Sequence, residues 1–197
     1  MKYYVVADVH GFCSILKASL KEKGFFNDEE PHKLIVCGDL FDRGGEAVEL
    51  QNFILELLEK DEVILIKGNH EELLVDMLNS WHRASYLESH HNSNGTVDTV
   101  LQLTGSRLAD LYDNPSDVYY KMKETPFMQK ILPAMVDYFE TENHIFVHGW
   151  IPCESIRQNP YAVTYFAIDN WRNASAKQWS SARWINGMDA AHDGVIE

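Results

Sequence analysis

The chain has 197 residues, of which 45% are hydrophobic and 24% charged, a composition typical of a globular protein long enough to bury a full core. Its formal net charge of −13 argues against broad, charge-driven binding to nucleic acid, which requires a basic surface. No apolar run reaches bilayer length and no secretory signal is visible, so we expect a cytoplasmic protein that binds neither membrane nor nucleic acid. The three cysteines are widely spaced, which argues against a cysteine-based zinc site or a disulfide framework.

The first 75 residues alternate short apolar runs with helical patterns. The apolar runs predict strands, and the intervening segments 12–23 and 46–59 have the periodicity of amphipathic helices. Strands that alternate with helices form right-handed βαβ units, so this half of the chain predicts a mostly parallel sheet.

The pattern becomes helical after Glu72. We predict a helical insert over about 72–141, with a kink or break near Pro133, and weaker signals beyond Pro152. The predicted helices of the insert are 73–81, 97–112, 116–123 and 126–138. After the insert, we predict a strand over 161–166 and a short helix over 177–184.

Metal-ligating side chains directly follow four of the predicted strands. They lie in the short segments 8–11, 38–44, 68–71 and 148–149. Loops at the carboxyl ends of strands in an open α/β sheet converge on one crevice, where such folds bind ligands. Asp8, Asp39 and Asn69 are separated by one βα unit each, so we expect them at equivalent strand ends. Carboxylate, imidazole and amide donors gathered there suit divalent transition metals.

Segments 38–44 and 68–71 also carry groups for phosphate chemistry. Arg43 offers a planar fork that matches two phosphate oxygens. His70 can donate a proton to a departing alkoxide, and Asp42 can orient a neighbouring histidine by accepting its ring N–H.

Each segment has a structural alternative when taken alone. Asp8 could cap the helix that follows it, and Asp42 with Arg43 could form a surface ion pair in a turn. Asn69 and His70 could cap the next helix, and His148 could be a satisfied core histidine. The coincidence of four such segments at strand ends favours a shared metal site.

The four segments together resemble the phosphoprotein phosphatase branch of the calcineurin-like metallophosphoesterases, in particular its small bacterial and phage serine/threonine phosphatases. The resemblance runs from Asp8 to Gly149. It implies an α/β fold, a β-sandwich of two mixed sheets flanked by helices, with the helical insert as a cap. We expect one such domain over residues 1–197.

The resemblance also implies a dinuclear centre that activates a bridging hydroxide for direct attack on phosphorus. Asp8 and His10 would hold the first divalent ion, Asp39 would bridge, and Asn69 and His148 would hold the second. Manganese is expected, with iron or zinc as alternatives.

The same resemblance implies the catalytic and substrate-binding roles. His70 and Asp42 would protonate the leaving group. Arg43 would clamp the phosphate, and Asn69 would contact the substrate as well as the metal.

The chain departs from the family pattern near its C-terminus. The family carries a further metal-ligating histidine after another strand, and the only histidine downstream of His148 is His192, which no predicted strand precedes. We therefore expect that the C-terminal part of the domain is missing. Arg183 is the best local candidate for a second substrate-binding arginine, with ordinary surface charge as the alternative. His82, His90 and His91 lie in the polar part of the insert and are expected to be solvent-exposed.

Three functions are compatible with these residues, and we expect the first, with the other two as alternatives. The first is a phosphomonoesterase that acts on phosphoserine or phosphothreonine in proteins. The second is a hydrolase of dinucleoside polyphosphates, because relatives in the family share nearly all of these motifs. The third is a phospho-binding scaffold without turnover. The expected partners are thus a phosphoprotein or a small phosphorylated substrate, and the oligomeric state is not predicted.

Overall fold

The computed structural model describes residues 1–83, 86–159 and 162–187. Their backbone forms two compact units, Met1–Val136 and Asp137–Glu197. The α/β class and the helical insert are confirmed.

The first unit is built on a three-stranded parallel sheet. Its strands are β1 (Lys2–Ala7), β2 (His32–Cys37) and β3 (Val63–Ile66), in the spatial order β1-β2-β3. β2 lies in the middle, and its Leu34, Ile35 and Val36 are fully buried, as expected for a strand covered on both faces.

Two helices connect these strands, as the sequence predicts. They are α1 (Cys13–Glu22) and α2 (Ala47–Glu59). Each buries one apolar stripe, and Leu50 and Ile54 of α2 are inaccessible to solvent.

The described residues between β3 and Ala134 form mainly helices. The helices are α3 (Asn69–Ser80), α4 (Ser89–Ser93), α5 (Thr96–Thr104), α6 (Leu108–Asp113), α7 (Pro115–Lys123) and, after a π-helical turn at Phe127–Ile131, α8 (Leu132–Ala134).

Two of the predicted helices differ from the structure. The predicted helix 97–112 is interrupted at Gly105, which adopts a left-handed conformation (φ 62°) and ends α5. The predicted helix 126–138 ends early, one residue after Pro133. Val136 beyond it forms a parallel bridge to Ile66 of β3.

The second unit contains two antiparallel strand pairs and a helix. β4 (Tyr138–Glu140) pairs with β5 (Ile145–Val147), and β6 (Cys153–Asn159) pairs with β7 (Ala162–Ala167). The helix is α9 (Ala176–Ala182), which begins at a Ser175 cap. The predicted strand and helix of this region are confirmed, whereas β4 and β6 were not predicted.

Among the described helices, none combines the length and the apolar character that crossing a bilayer would require.

Candidate metal centre

The parallel register aligns the carboxyl ends of the three strands of the first unit. Ala7 lies opposite Cys37, and Cys37 lies opposite Ile66. Asp8, Asp39 and Asn69 follow these residues within one to three positions, which gathers their loops at one edge of the sheet. The expected equivalence of the three positions is therefore observed.

The backbone of these loops is strained. Only six non-glycine residues have a positive φ in the described part of the chain, and five belong to the strand-end segments: Asp8, His10, Asp39, Asp42 and Arg43, with φ between 49° and 74°. Such conformations are unfavourable for L-residues and persist where surrounding contacts over-determine them, often at functional sites.

His10 is buried and presents one ring nitrogen to the carboxylates. Its Nδ1 lies 3.0 Å from the Phe41 carbonyl oxygen, which can only accept, so Nδ1 carries the proton and Nε2 a lone pair. Nε2 lies 3.9 Å from Oδ1 of Asp8 and 3.8 Å from Oδ2 of Asp39. Burial, helped by the charge of Arg43, lowers the pKa of His10, which favours the neutral imidazole that a metal ion requires.

Asp39 is held in place by the chain around Gly68. Its Oδ1 accepts the backbone N–H of His70 at 3.1 Å, while Oδ2 lies 3.8 Å from Nε2 of both His10 and His70. A Cβ atom at Gly68 would lie 2.1 Å from Oδ1 of Asp39, so only glycine permits this approach.

Glu71 connects the loop after β2 with the loop after β3. Its buried carboxylate accepts the backbone N–H groups of Asp39, Leu40 and Gly68 at 3.1, 2.9 and 2.7 Å. Burial and the charge of Asp39 raise the pKa of Glu71 to about 7, against the effect of the three N–H donors. We did not single out this role from the sequence, although a glutamate three residues after the helix cap is a recognised signal.

His70 lies between Asp42 and Arg43. Its Nδ1 is 2.8 Å from Oδ2 of Asp42, and its Nε2 is 3.1 Å from Nη2 of Arg43. Burial lowers the pKa of His70, but the hydrogen bond to Asp42 and the charges of Asp39 and Asp42 outweigh it, so the pKa is raised. Arg43 itself is exposed and open to an anion.

Helix α5 supplies the partners of Asp42. Thr96 Oγ1 and Thr99 Oγ1 each donate to the Asp42 carboxylate at 2.8 Å, and Thr99 also accepts the Asp42 backbone N–H at 2.9 Å. Gly95, with φ 85°, precedes them, and a Cβ there would lie 2.4 Å from the backbone nitrogen of Arg43. These threonines were not predicted from the sequence, although their i, i+3 spacing places them on one face of the helix.

The remaining predicted residues are placed as follows. Asn69 is the first residue of α3 and is half-buried. His148 directly follows β5 in the second unit and is half-buried, with Gly149 after it at φ 74°. Arg183 is only 5% exposed and pairs with Asp137, so its alternative as ordinary surface charge is wrong. His192 lies outside the described residues.

The alternatives considered for Asp8, Asp42 and Arg43 do not match the structure. Phe12 occupies the N-cap of α1, with no side-chain capping bond, so Asp8 does not cap that helix. Asp42 is buried and bonded to His70 and α5 rather than forming a surface pair with Arg43.

The donors at the strand ends fit a divalent cation. A buried imidazole nitrogen with a free lone pair faces oxygens of two carboxylates, at separations that a shared ion about 2.0–2.2 Å from each atom can bridge. His10, Asp39 and His70 offer ligand atoms that all lie within 4.8 Å of one another.

Known proteins with similar sequences are phosphohydrolases. A bis(5'-nucleosyl)-tetraphosphatase of the asymmetrical type from Bacillus velezensis is 32% identical over 76 residues, covering 36% of this chain and 30% of that protein. A symmetrical bis(5'-nucleosyl)-tetraphosphatase from Buchnera aphidicola subsp. Acyrthosiphon pisum is 36% identical over 75 residues, covering 38% and 26%. Serine/threonine-protein phosphatase 1 from Salmonella typhimurium is 36% identical over 73 residues, covering 37% and 31%. Each match thus spans less than a third of the relative's length.

The match to a family as a whole is much longer. The calcineurin-like phosphoesterase model matches residues 1–180, which include all of the first unit and most of the second. The chain therefore belongs to the calcineurin-like phosphoesterase family.

Proposed function

We propose that this chain hydrolyses phosphate esters or anhydrides with the help of two divalent cations. The observation that carries the proposal is the buried His70 held between the Asp42 carboxylate and the exposed Arg43 guanidinium, with Asp39 3.8 Å away. This arrangement would place a proton donor, an anion-binding group and a metal-ligating carboxylate around the phosphate group of a substrate.

The ligand set supports two cations. Asp8 and His10 would hold the first, Asp39 would bridge, and Asn69 and His148 would complete the second, with manganese as the proposed metal and iron or zinc as alternatives. The cations would supply Lewis acidity toward a phosphoryl oxygen and would lower the pKa of water to give a nucleophile at neutral pH.

His70 is arranged to serve as the general acid. Asp42 accepts the Nδ1 proton and fixes the ring, so Nε2 is the atom that would deliver a proton to the leaving oxygen. The two threonine hydroxyl groups bonded to Asp42 keep that carboxylate from turning away.

Arg43 is arranged to exchange partners. Its Nη2 now donates to Nε2 of His70. A phosphate in the site would draw the guanidinium into a bidentate, charge-assisted contact, and this would free Nε2 to take up the proton that it then gives to the leaving oxygen.

Two substrate classes fit this chemistry, and neither is preferred. The relatives include serine/threonine protein phosphatases and bis(5'-nucleosyl)-tetraphosphatases. Both a phosphorylated serine or threonine and a dinucleoside polyphosphate present an anionic phosphoryl group to Arg43 and His70, a terminal monoester in the first and an internal anhydride in the second.

The first test is hydrolysis of p-nitrophenyl phosphate with Mn²⁺, comparing the unaltered chain with Asp39→Asn and with Asp113→Asn. Asp113 is an exposed carboxylate on α6, so its variant matches the charge change away from the site. We expect activity in the chain and in Asp113→Asn, and its loss in Asp39→Asn. Full activity and metal content in Asp39→Asn would contradict the proposal.

The second test separates the substrate classes and the scaffold alternative. Phosphoserine and phosphothreonine peptides are compared with diadenosine tetraphosphate at equal Mn²⁺, and metal stoichiometry is measured in parallel. Preferential release of phosphate from the peptides supports protein phosphatase activity, and preferential cleavage of the tetraphosphate supports the other. If the metal-loaded chain binds phosphopeptide without hydrolysing it, the result supports the alternative that the protein is a phospho-binding scaffold.

A further inference from the structure

A separate group of metal-ligating side chains lies in the helical segment of the first unit. Asp76 is on α3, and His90 and His91 are adjacent on α4. Oδ2 of Asp76 lies 3.4 Å from Nε2 of His91 and 3.9 Å from Nε2 of His90. One ligand atom from each residue lies within 4.8 Å of the others.

His91 is the unexpected member of this group. The sequence predicts an exposed residue, but His91 is completely buried, whereas His82 and His90 are exposed as predicted. A buried imidazole nitrogen normally has a hydrogen-bond partner. Nε2 of His91 has none, because its 3.4 Å approach to Asp76 falls within ion-pair range but does not have hydrogen-bond geometry.

The opposite side of the His91 ring determines what Nε2 can do. Nδ1 accepts the Glu88 backbone N–H at 3.2 Å, a long hydrogen bond that leaves the ring proton on Nε2. A metal ion at Nε2 requires the other tautomer, with the proton on Nδ1. That tautomer would give up the long Glu88 contact and leave Nε2 with a lone pair 3.4 Å from Oδ2 of Asp76. The Tyr86 backbone, which interacts with the ring, could then accept the Nδ1 proton, as backbone carbonyls commonly do for ligating histidines.

The separations match a small tetrahedral ion. Zinc binds imidazole nitrogen and carboxylate oxygen at about 2.0–2.2 Å, so neighbouring ligand atoms of a tetrahedral site lie about 3.4 Å apart. The Asp76–His91 separation has this value already, and the half-exposed His90 and Asp76 side chains need only small rotations.

We propose that Asp76, His90 and His91 bind one transition-metal ion of the zinc type, which fastens α4 to α3. Three protein ligands leave the fourth position of a tetrahedral site to water. Two imidazoles and one carboxylate favour zinc, cobalt, nickel or copper over magnesium and calcium, which prefer oxygen. This ion would be additional to those proposed at the strand ends.

The site would support the region that contains Arg43. Asn94 anchors the end of α4 by donating to the His90 carbonyl at 2.8 Å. Gly95 follows and lies against the Arg43 backbone, and Thr96 of α5 donates to Asp42. Fixing α4 on α3 would therefore restrict motion of the chain that holds Asp42 and Arg43. The proposed metal binding does not rest on the proposed hydrolase function. Only the effect on Asp42 and Arg43 rests on it.

The experiment measures Zn²⁺ and Co²⁺ binding to tag-free chain after removal of metal. Asp76→Asn and His90→Ala alter exposed side chains, so both variants are expected to fold, which far-ultraviolet circular dichroism verifies. His82→Ala and Asp113→Asn are the matched controls, since each removes the same kind of exposed group elsewhere. All proteins are also prepared with Asp39→Asn, which weakens the strand-end ligands and isolates the second group.

We expect the chain and both controls to bind one more Zn²⁺ than Asp76→Asn or His90→Ala. In these two variants, the affinity of the proposed site for Zn²⁺ should fall at least about tenfold. Co²⁺ should give the intense visible absorption of a tetrahedral site only where the three residues are intact. Zn²⁺ should raise the melting temperature of the Asp39→Asn chain but not of the double variants. The proposal is overturned if either variant and its control show the same Zn²⁺ stoichiometry, the same Zn²⁺ affinity and the same Zn²⁺-induced change in melting temperature. If the unaltered chain does not hydrolyse p-nitrophenyl phosphate, the result counts against the proposed function but does not affect this metal assignment.

Discussion

The geometry around His70 separates two parts of the proposed reaction, and single substitutions can test them apart. The Asp42 carboxylate is bonded to the far side of the His70 ring and to the α5 hydroxyl groups. Arg43 contacts the near side, where the substrate would lie. A change at Asp42 should therefore affect protonation of the leaving group more than substrate binding.

We expect Asp42→Asn to reduce turnover in a manner that depends on the leaving group. An amide can accept the His70 proton but does not stabilise the imidazolium, so the ring is a poorer acid. For an alkyl phosphate, the loss in kcat should be roughly 10²–10³-fold. For p-nitrophenyl phosphate, whose leaving group is stable without a proton, the loss should be below about tenfold. Steady-state kinetics on both substrates measure the difference, and equal losses would contradict the general-acid role.

Gly68 and Gly45 provide a matched pair of glycines near the candidate metal centre. A Cβ at Gly68 would meet Oδ1 and the nitrogen of Asp39 at 2.1 and 2.4 Å, whereas a Cβ at Gly45 would meet nothing within 4 Å. We expect Gly68→Ala to lower the free energy of unfolding by about 1–3 kcal/mol and to abolish activity, because Asp39 must shift. Gly45→Ala should stay within about 0.5 kcal/mol of the unaltered chain.

Urea unfolding followed by fluorescence, with metal content measured on the folded protein, checks both glycine variants. An unaffected Gly68→Ala chain would show that the Asp39 loop can move without consequence. This result would weaken the ligand assignment of Asp39.

The sequence predicts which residues follow the strands, but not how they are supported. Asp8, Asp39 and Asn69 could be placed from spacing alone, because parallel register follows from repeated βα units. The Glu71 carboxylate, bonded to three backbone N–H groups, and the burial of His91 could not, since both depend on contacts between loops and helices. His90 and His91 are adjacent in the same polar stretch of sequence, and only the packing of α4 makes one exposed and the other buried.

Helix α5 supports the site without supplying a proposed ligand or catalytic residue. Its first turn carries Thr96 and Thr99 on the face that meets Asp42. The helix therefore acts as a rigid support for the orientation of His70, although none of its residues touches a proposed reacting atom.

We expect Thr99→Val to damage function through this support. Valine keeps the shape of threonine but leaves the buried Asp42 N–H without its acceptor, which should cost about 1–3 kcal/mol of stability. The kcat for an alkyl phosphate should fall while KM changes little. Thr104→Val removes only a bond to the Val100 carbonyl within the same helix, so it should be close to neutral. The same kinetic defect in both variants would refute the specific role of Thr99.

Element prediction was accurate where patterns are long and failed where elements are short. The periodicity of α2 predicts its bounds to within one residue. α4 has only five residues and β4 only three, and such lengths carry no detectable period. The division at Gly105 follows from its left-handed backbone, which periodicity alone does not reveal.

For the molecule as a whole, net charge opposes the proposed substrates. The chain carries a formal charge of −13, and a phosphorylated substrate is also an anion. We expect kcat/KM to rise as salt screens this repulsion, roughly two- to fivefold between low and physiological ionic strength. The increase should be steeper for diadenosine tetraphosphate than for the less charged p-nitrophenyl phosphate. A decrease with salt would indicate that the local field of the cleft attracts substrate and dominates the net charge.

The bonds between α5 and Asp42 have a consequence for synthesis of the protein. Thr96 and Thr99 lie 54 and 57 residues beyond their partner. A nascent chain that has emerged from the ribosome only as far as α3 already contains Asp8, His10, Asp39 and His70, but nothing yet orients Asp42 toward the histidine. Competence to protonate a leaving group thus arises only after Asp8, His10 and Asp39 are already outside the exit tunnel.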